Sequence, residues 1–474
     1  MSISRYEKSS TILEGQTLRP SPPPQEEGGA MVTIPATGGG ALRLSAGVMS
    51  KHLLAVGSIG SGKSTCLFHI VRSLADGLRP MDRMIIFDAK GDYVDRFLGP
   101  KDLVLGSVTG ENNRVWNIFT DLMDTPQSEP NADLLRQMAT TLFSRQIETS
   151  NNPTFPCGAR DLFIGLTLAF VRRARAAGSA SWQTLNNKTL KDFFTGEVSD
   201  PTRIGDLIAP YPDLQWLRMY ILAPQSATTQ SYLAPLQAMV NEMFIGCFAQ
   251  AGDFSIRQFV MGRDEGKLFI SYDAEYGCMM DAMYTVLFDL AMRQSIGRSA
   301  RRGGNIIFVM DELPLIPALA YLDQVLNFGR SLGVKMVAGI QNVNQMENKY
   351  GESQAASILS GFSTFFCFHL FDEASRDLVK QRHGTNLRRI SCMKNNGTDE
   401  VDILQSMQVI EDWDISSLYG GRCIVSLPTG DPFFFHPTDY PFTSGALSPA
   451  LPGRAPSGPQ PNTGRIVIKN ITRR

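Results

Sequence analysis

A nine-residue stretch near the start of the chain has the composition of a phosphate-binding loop. The stretch GSIGSGKST follows the apolar run HLLAV and fits the pattern G-x-x-x-x-G-K-[ST]. Glycines allow consecutive backbone N–H groups to point at one anion, and the lysine and hydroxyl side chains suit the phosphates and Mg²⁺. The residues predicted to bind the nucleotide are Gly57, Ser58, Ile59, Gly60, Ser61, Gly62, Lys63, Ser64 and Thr65.

A pair of acidic residues far downstream would complete a hydrolytic site. The apolar run NIIFVM ends at Asp311 and Glu312. An aspartate in this position holds Mg²⁺ together with Ser64, and the glutamate polarises the attacking water. Because an apolar run followed by Asp-Glu is common by chance, this prediction depends on its pairing with the phosphate loop. The predicted ligands are therefore ATP and Mg²⁺, with Lys63 and Glu312 as catalytic residues.

Two further polar residues are candidates for the same reaction. Gln341 ends an apolar run, where its amide could sense a γ-phosphate or orient water. Arg330 precedes that run, where its guanidinium could reach a nucleotide bound by a neighbouring subunit. Their spacing alone favours an ordinary strand-end glutamine and a surface arginine.

The elements that must position these residues follow an α/β pattern. Short, nearly continuous apolar runs separated by helical segments are typical of a buried, mostly parallel sheet. Between about residues 131 and 262 such runs vanish and helix-like stretches replace them, which indicates an inserted all-α domain. The predicted organisation is a disordered tail (1–30), a nucleotide-binding domain (31–130 and 263–442), the all-α domain (131–262) and a Pro/Gly-rich basic tail (443–474).

Composition limits the class of protein. The 474 residues carry a net charge of −1, so DNA contacts would have to come from local basic patches rather than from overall charge. The seven scattered cysteines form no C-x-x-C pair, which favours a reducing compartment over a disulfide framework. No apolar run approaches the length that spans a bilayer, and a cytoplasmic protein is expected.

Basic residues occur in three groups that could contact a phosphate backbone. For each group, an ordinary solvated helix face is the alternative explanation. The groups are Arg172, Arg173 and Arg175; Arg298, Arg301 and Arg302; and Lys380, Arg382, Arg388 and Arg389.

Five motifs occur in order along the chain: GSIGSGKST, IIFDAKGDYVDRF, GKLFISYDAEYG, FVMDEL and GRSLGVKMVAGIQNVNQMENKYG. Together they resemble the motifs of the type IV coupling proteins, the ATPases of conjugative DNA transfer. The resemblance covers about residues 30–440. It implies a RecA-like P-loop NTPase domain with an inserted all-α domain, a homo-hexameric ring and DNA-stimulated ATP hydrolysis. In such a ring, repetition of even one basic group would line a channel with positive charge.

The resemblance also implies roles for individual residues and partners. Arg330 matches an arginine finger that acts in trans, and Gln341 matches a glutamine that follows a motif strand. Asp88 and Lys90 match a D-x-K-G turn, for which a purely structural role is equally compatible. The implied partners are DNA, taken up as a single strand without sequence preference, relaxase and relaxosome proteins, and the components of a type IV secretion channel.

Three functions fit these observations. The first is a DNA-pumping ATPase that couples a nucleoprotein substrate to the secretion channel. The second is a cytoplasmic translocase of the FtsK/HerA kind, and the third is a substrate-recruiting adaptor with slow turnover. Coupling proteins usually begin with a membrane anchor, which this sequence lacks, so a naturally anchorless protein and a shortened one are both compatible; the expected location is the cytoplasm, at most peripheral to the inner membrane.

Overall fold

A ten-stranded, mostly parallel sheet forms the centre of the protein. The computed structural model describes residues 5–8, 30–106, 111–223, 225–262, 266–272, 277–298, 303–393 and 400–441. The predicted C-terminal tail and most of the predicted N-terminal tail lie outside these residues. The strands of the central sheet are β4 (Leu53–Val56), β5 (Arg83–Asp88), β6 (Leu103–Leu105), β7 (Asn113–Arg114), β8 (Gly266–Ser271), β9 (Ile306–Met310), β10 (Val334–Ile340), β11 (Thr364–Cys367), β14 (Cys423–Ser426) and β15 (Phe433–Phe435).

The order of these strands fixes which loops can meet. Across the sheet the order is β15-β14-β11-β4-β10-β9-β5-β8-β6-β7. The strands from β11 to β7 run parallel, whereas β14 and β15 add an antiparallel edge. The carboxyl ends of β4, β10 and β9 are therefore neighbours. These are the strands that precede the phosphate loop, Gln341 and Asp311.

Smaller strand pairs lie outside the central sheet. β2 (Ala30–Pro35) and β3 (Ala41–Ser45) form the hairpin expected ahead of the phosphate loop. β12 (Thr385–Met393) and β13 (Glu400–Gln408) form a second hairpin, which the sequence pattern did not predict. The strand β1 (Arg5–Lys8) pairs with β12, so this piece of the predicted N-terminal tail is a strand.

Helices cover both faces of the sheet. They are α1 (Ala46–Met49), α2 (Lys63–Asp76), α3 (Asp92–Phe97), α4 (Ile118–Leu122), α5 (Ala132–Thr149), α6 (Thr154–Ala176), α7 (Asn187–Gly196), α8 (Pro201–Ile208), α9 (Ala227–Met243), α10 (Ile256–Met261), α11 (Gly277–Gly297), α12 (Leu322–Phe328), α13 (Asn344–Tyr350), α14 (Glu352–Ser360), α15 (Glu373–His383) and α16 (Asp412–Ser416). Five helices of the α-rich region begin at a residue whose side chain accepts a backbone N–H: Asn131, Asn186, Asp200, Ser226 and Ser255.

Alternate residues of each strand enter two different cores. Leu53 and Ala55 of β4 face one apolar cluster, which contains α2 and the β2–β3 hairpin. Leu54 and Val56 face the other cluster, which contains the helices between α4 and α10. Burial on both faces explains why the strands read as continuous apolar runs instead of alternating ones.

The α-rich region shares its core with the sheet. Between α4 and α10 the described residues form α-helices and two 3₁₀ segments, and no strand longer than the single bridge from Phe254 to Trp116, as the sequence predicted. Their apolar side chains belong to one continuous cluster with Leu54, Phe87 and Phe308 of the sheet. Among the described residues one helix, α6, has the length and composition of a membrane span, and most of it is buried in this cluster. The domain boundaries at 131 and 262 stay a prediction.

Candidate functional site

The phosphate loop connects β4 to the amino end of α2. Gly60 and Gly62 both have positive φ angles, 75° and 96°, so the loop needs glycine at these positions. A Cβ atom on Gly62 would also lie 2.6 Å from the Cα atom of Gly421. Ile59 at the tip of the loop is 85% exposed. The N–H groups of Gly57, Ser58 and Ser61 are hydrogen-bonded to protein carbonyls, which holds the loop at the carboxyl edge of the sheet next to the amino end of α2.

Four of the predicted catalytic and metal-binding residues meet at this edge. The Nζ atom of Lys63 lies 3.8 Å from Oδ1 of Asp311 and 3.9 Å from Oε2 of Glu312. The amide of Gln341 donates a hydrogen bond of 3.0 Å to Oε2 of Glu312. All of these side chains are largely buried or half-buried, and their charges are therefore weakly screened. Lys63, Asp311, Glu312 and Gln341 thus form one polar cluster beside the phosphate loop.

The donor atoms of the cluster fit a magnesium ion that accompanies a nucleotide. Oδ1 of Asp311 is buried, and Lys63, 3.8 Å away, is too far for a hydrogen bond, so this oxygen makes none to a described residue. A buried carboxylate oxygen left in this condition is costly unless a ligand completes its coordination. Ser64 lies in the first turn of α2, next to Lys63. Mg²⁺ prefers carboxylate and hydroxyl oxygens, so Asp311 and Ser64 are the residues that would hold it.

The D-x-K-G turn has a structural role in this protein. The carboxylate of Asp88 accepts hydrogen bonds from the backbone N–H groups of Lys90, Tyr93 and Val94, at 3.4, 3.1 and 2.7 Å. These bonds hold the turn between β5 and α3, and Lys90 is exposed to solvent. Burial, and then the nearby Asp311 carboxylate, raises the pKa of the Tyr93 phenol well above its usual range. Tyr93 is thus a neighbour of the polar cluster that the sequence motif did not identify.

Arg330 lies at the opposite edge of the sheet from its own phosphate loop. It sits in the 3₁₀ turn Gly329–Leu332, which precedes β10, whereas Gln341 follows β10. A seven-residue strand spans about 20 Å, so Arg330 cannot reach the nucleotide site of its own subunit. Its guanidinium is exposed and makes no hydrogen bond or ion pair with another described residue. Together with Lys51 and Arg382, it lines a cleft of about 690 Å³.

A set of buried polar contacts fixes the segment between Glu312 and Arg330. Lys349 donates hydrogen bonds to the carbonyls of Pro314 and Ile316. The Tyr350 hydroxyl accepts the N–H of Leu319 at 3.0 Å. Lys349 and Tyr350 belong to α13, which begins shortly after Gln341. The helix that follows Gln341 therefore holds the loop that follows Glu312, a connection that spacing along the sequence does not reveal.

The comparison with known families shows to which family the chain belongs. The sequence profile described as the type IV secretion-system coupling protein DNA-binding domain matches residues 38–428. The chain belongs to the type IV secretion-system coupling proteins. The family resemblance predicted from the five motifs is thereby confirmed.

Individual coupling proteins agree with this assignment. Coupling protein TraD of Escherichia coli strain K12 is 22% identical over 386 residues, which are 78% of this chain and 50% of TraD. The chain thus spans about half the length of this curated relative. The unbound monoclinic form of the coupling protein TrwBdeltaN70 matches with a TM-score of 0.68 at 19% identity and covers 88% of this chain and 89% of its own.

Structures of TrwB with nucleotides also resemble this coupling protein. The complex of TrwB with the non-hydrolysable ATP analogue ADPNP has a TM-score of 0.66 at 19% identity and covers 89% of this chain and 92% of its own. At such identity the likeness shows the fold, which is the predicted RecA-like domain with an all-α domain.

Most of the basic residues suggested as DNA contacts are occupied elsewhere in this coupling protein. Arg172 pairs with Asp213 at 2.9 Å, and Arg173 pairs with Glu197 at 2.5 Å. Arg298 is buried, and Lys380 pairs with two aspartates. The side chains of Arg301, Arg302, Arg388 and Arg389 lie outside the described residues. Arg382 lines the cleft beside Arg330 and donates hydrogen bonds to the carbonyls of Phe362 and Ser363. Contact of these basic groups with DNA stays a prediction.

A buried aspartate beneath the same loop predicts a pH dependence of stability. Oδ1 of Asp289 accepts the N–H of Tyr321 at 3.4 Å, and burial raises the pKa of Asp289 from 3.8 to about 7. The folded protein thus keeps this proton up to about pH 7, whereas the unfolded chain loses it near pH 4. The contribution of this proton to the free energy of unfolding is fully present below the pKa of Asp289 in the unfolded chain. It falls as the pH rises from that pKa to the pKa in the folded protein.

We expect Asp289→Asn to raise the melting temperature above that of the unchanged protein, and to raise it more at pH 8 than at pH 5. The asparagine keeps an oxygen for Tyr321 and removes the buried charge. Thermal unfolding of both proteins at the two pH values measures this difference. Asp253 is exposed, so Asp253→Asn should show no such pH dependence. An equal difference at both pH values would mean that Asp289 does not titrate in this window.

Proposed function

We propose that this coupling protein is an ATP-driven motor that moves DNA into a type IV secretion channel. One observation carries the proposal: Lys63, Asp311, Glu312 and Gln341 converge on the phosphate loop, although they come from distant parts of the sequence. This is the set of groups that ATP hydrolysis needs, with a cation for the phosphates, a carboxylate for the metal and a carboxylate for water.

Each residue would contribute one task to the reaction. Lys63 and the N–H groups of the loop would bind the β- and γ-phosphates and stabilise the charge that develops on them. Glu312 would accept a proton from the attacking water, and the Gln341 amide, now bonded to Glu312, would orient that water. Ser64 and Asp311 would hold Mg²⁺, which when bound would supply positive charge next to the phosphates.

The position of Arg330 supports an assembly in which subunits share their sites. A guanidinium that lies at the far edge of the sheet can act on a nucleotide only if that nucleotide belongs to another subunit. The cleft lined by Lys51, Arg330 and Arg382 would then face the phosphate loop of the neighbour. A closed ring of six copies satisfies this head-to-tail contact without leaving a free end.

The partners follow from the family. Its profile is described as a DNA-binding domain, and a motor that tracks the phosphate backbone needs no sequence preference. We propose single-stranded DNA with its relaxase as the substrate. The components of a type IV secretion channel would be the receiving partner, and the motor would work in the cytoplasm against the inner membrane.

The experiment that tests this function measures ATP turnover with and without single-stranded DNA. We expect DNA to stimulate the unchanged protein and Glu312→Gln to lose about two or more orders of magnitude in turnover, because the amide cannot accept the proton. ATP binding should survive in this variant. Glu352 is an exposed glutamate at the start of α14, so Glu352→Gln serves as the control.

Two outcomes would contradict the proposal. Near-normal turnover of Glu312→Gln would leave this glutamate with a structural role only. Slow turnover that DNA does not change would favour the substrate-recruiting adaptor.

A further inference from the structure

The sheet order shows where the nucleoside end of a bound nucleotide must extend. β10 and β9, which carry Gln341 and Asp311, lie on one side of the phosphate-loop strand β4. The reacting γ-phosphate belongs on that side. The rest of the nucleotide would then extend over the amino end of α2 towards the other side of β4, where β11 and β14 lie.

Two backbone segments on that side touch the phosphate loop. The segment that follows β11 binds the loop through a hydrogen bond of 3.0 Å from the N–H of Ser58 to the carbonyl of His369. The turn that precedes β14 meets it at Gly421, against which a Cβ atom on Gly62 would lie 2.6 Å away. Gly420 and Gly421 have positive φ angles, and the Gly420 carbonyl is hydrogen-bonded to His436 at 2.8 Å. Both segments therefore have fixed positions beside the loop.

Each of these segments carries an aromatic side chain that is open to solvent. Phe371 follows β11 and is 74% exposed, and Tyr419 precedes β14 and is 70% exposed. The ring centroids of His369 and Phe371 lie 4.5 Å apart, so Phe371 is supported from one side. Large exposed aromatic side chains beside a ligand site are typical of surfaces that a partner or ligand covers.

We propose that Tyr419 and Phe371 form a subsite for the purine base of the nucleotide bound at the phosphate loop. The inference rests on the proposed function and adds the recognition of the base to it. Stacking uses the face of the base and not its hydrogen-bonding edge, so the subsite accepts adenine and guanine with similar affinity.

A ligand without a base separates this subsite from the phosphate site. Titration calorimetry with Mg²⁺ compares a non-hydrolysable ATP analogue, the matching GTP analogue and inorganic tripolyphosphate. We expect Tyr419→Ala and Phe371→Ala each to weaken both nucleotide analogues by about tenfold, which is the scale of one aromatic–base stack, and to leave tripolyphosphate unchanged. Tyr419→Phe keeps the ring and should bind like the unchanged protein.

Two further variants make the outcomes distinguishable. Trp216→Ala removes an exposed aromatic side chain of the α-rich region and should change no affinity. Lys63→Ala should lose all three ligands; if it does not, the proposed function is at fault. If Lys63→Ala loses them while Tyr419→Ala and Phe371→Ala bind the analogues normally, the base subsite is wrong. A change in self-association alone would instead assign these rings to a contact with a second copy.

Discussion

Replacing Lys63 with alanine is expected to abolish ATP hydrolysis while the protein stays folded. The lysine is the cation nearest to both carboxylates of the polar cluster, at 3.8 and 3.9 Å, and it lies at the amino end of α2. Its removal takes away the charge that follows the transferring phosphoryl group to the transition state. Phosphate release measures the loss, and circular dichroism with thermal unfolding measures the fold.

The matched control is another lysine at the same edge of the sheet. Lys90 follows β5 and is exposed, so Lys90→Ala should retain turnover. Loss of turnover in both variants would mean that hydrolysis depends on positive charge anywhere at this edge of the sheet and not on Lys63 in particular. Retained turnover in Lys63→Ala would overturn the assignment of the phosphate loop.

We expect Arg330→Ala to lose as much ATP hydrolysis as Lys63→Ala does. Addition of the Lys63→Ala protein should restore part of this activity. Each variant subunit lacks one half of a shared site: Lys63→Ala keeps its own Arg330, and Arg330→Ala keeps its own phosphate loop. Mixing the two inactive proteins should therefore restore partial activity at the interfaces where both intact halves meet. Arginine fingers contribute on the order of a thousandfold or more to the rate, so the restored activity should be measurable.

Two comparisons sharpen this test. Arg330→Lys should remain poor, because an ammonium cannot contact two phosphate oxygens in the planar geometry of a guanidinium. Arg218 is an exposed arginine in the α-rich region, and Arg218→Ala should stay active without a partner. Mixtures that are shown to co-assemble, yet recover no activity, would mean that Arg330 does not act in trans.

The strands of the central sheet were predictable because both of their faces are buried. The runs around Ile86, Phe308 and Val337 contain almost only apolar residues, and the structure places each of them in a parallel strand. The β12–β13 hairpin escaped prediction because charged residues interrupt its sequence and no apolar run marks it. The two strands are recognised only by their pairing with each other in the folded chain, because neither has an apolar pattern of its own.

The sequence predicted the residues of the polar cluster but not the residues that hold the loop after Glu312 in place. Lys63 and Asp311 belong to motifs with a fixed local pattern. Asp289, Lys349 and Tyr350 act through contacts with a loop that is distant in sequence, and no local pattern identifies such residues. The sequence also gives no sign of the ion pairs that Arg172 and Arg173 form in the fold, because their acidic partners are distant along the chain.

The apolar cluster that the α-rich region shares with the sheet has a consequence for engineering. Excision of residues 131–262 would uncover α11, which packs against α5 and α9, so a trimmed motor would require polar replacements on that helix. A hybrid that takes these helices from a relative would have to inherit the matching side chains of α11 as well. An exchange of substrate preference between two coupling proteins therefore requires both the helices of the α-rich region and the surface against which they pack. Exchange of the helices alone would leave the two surfaces mismatched.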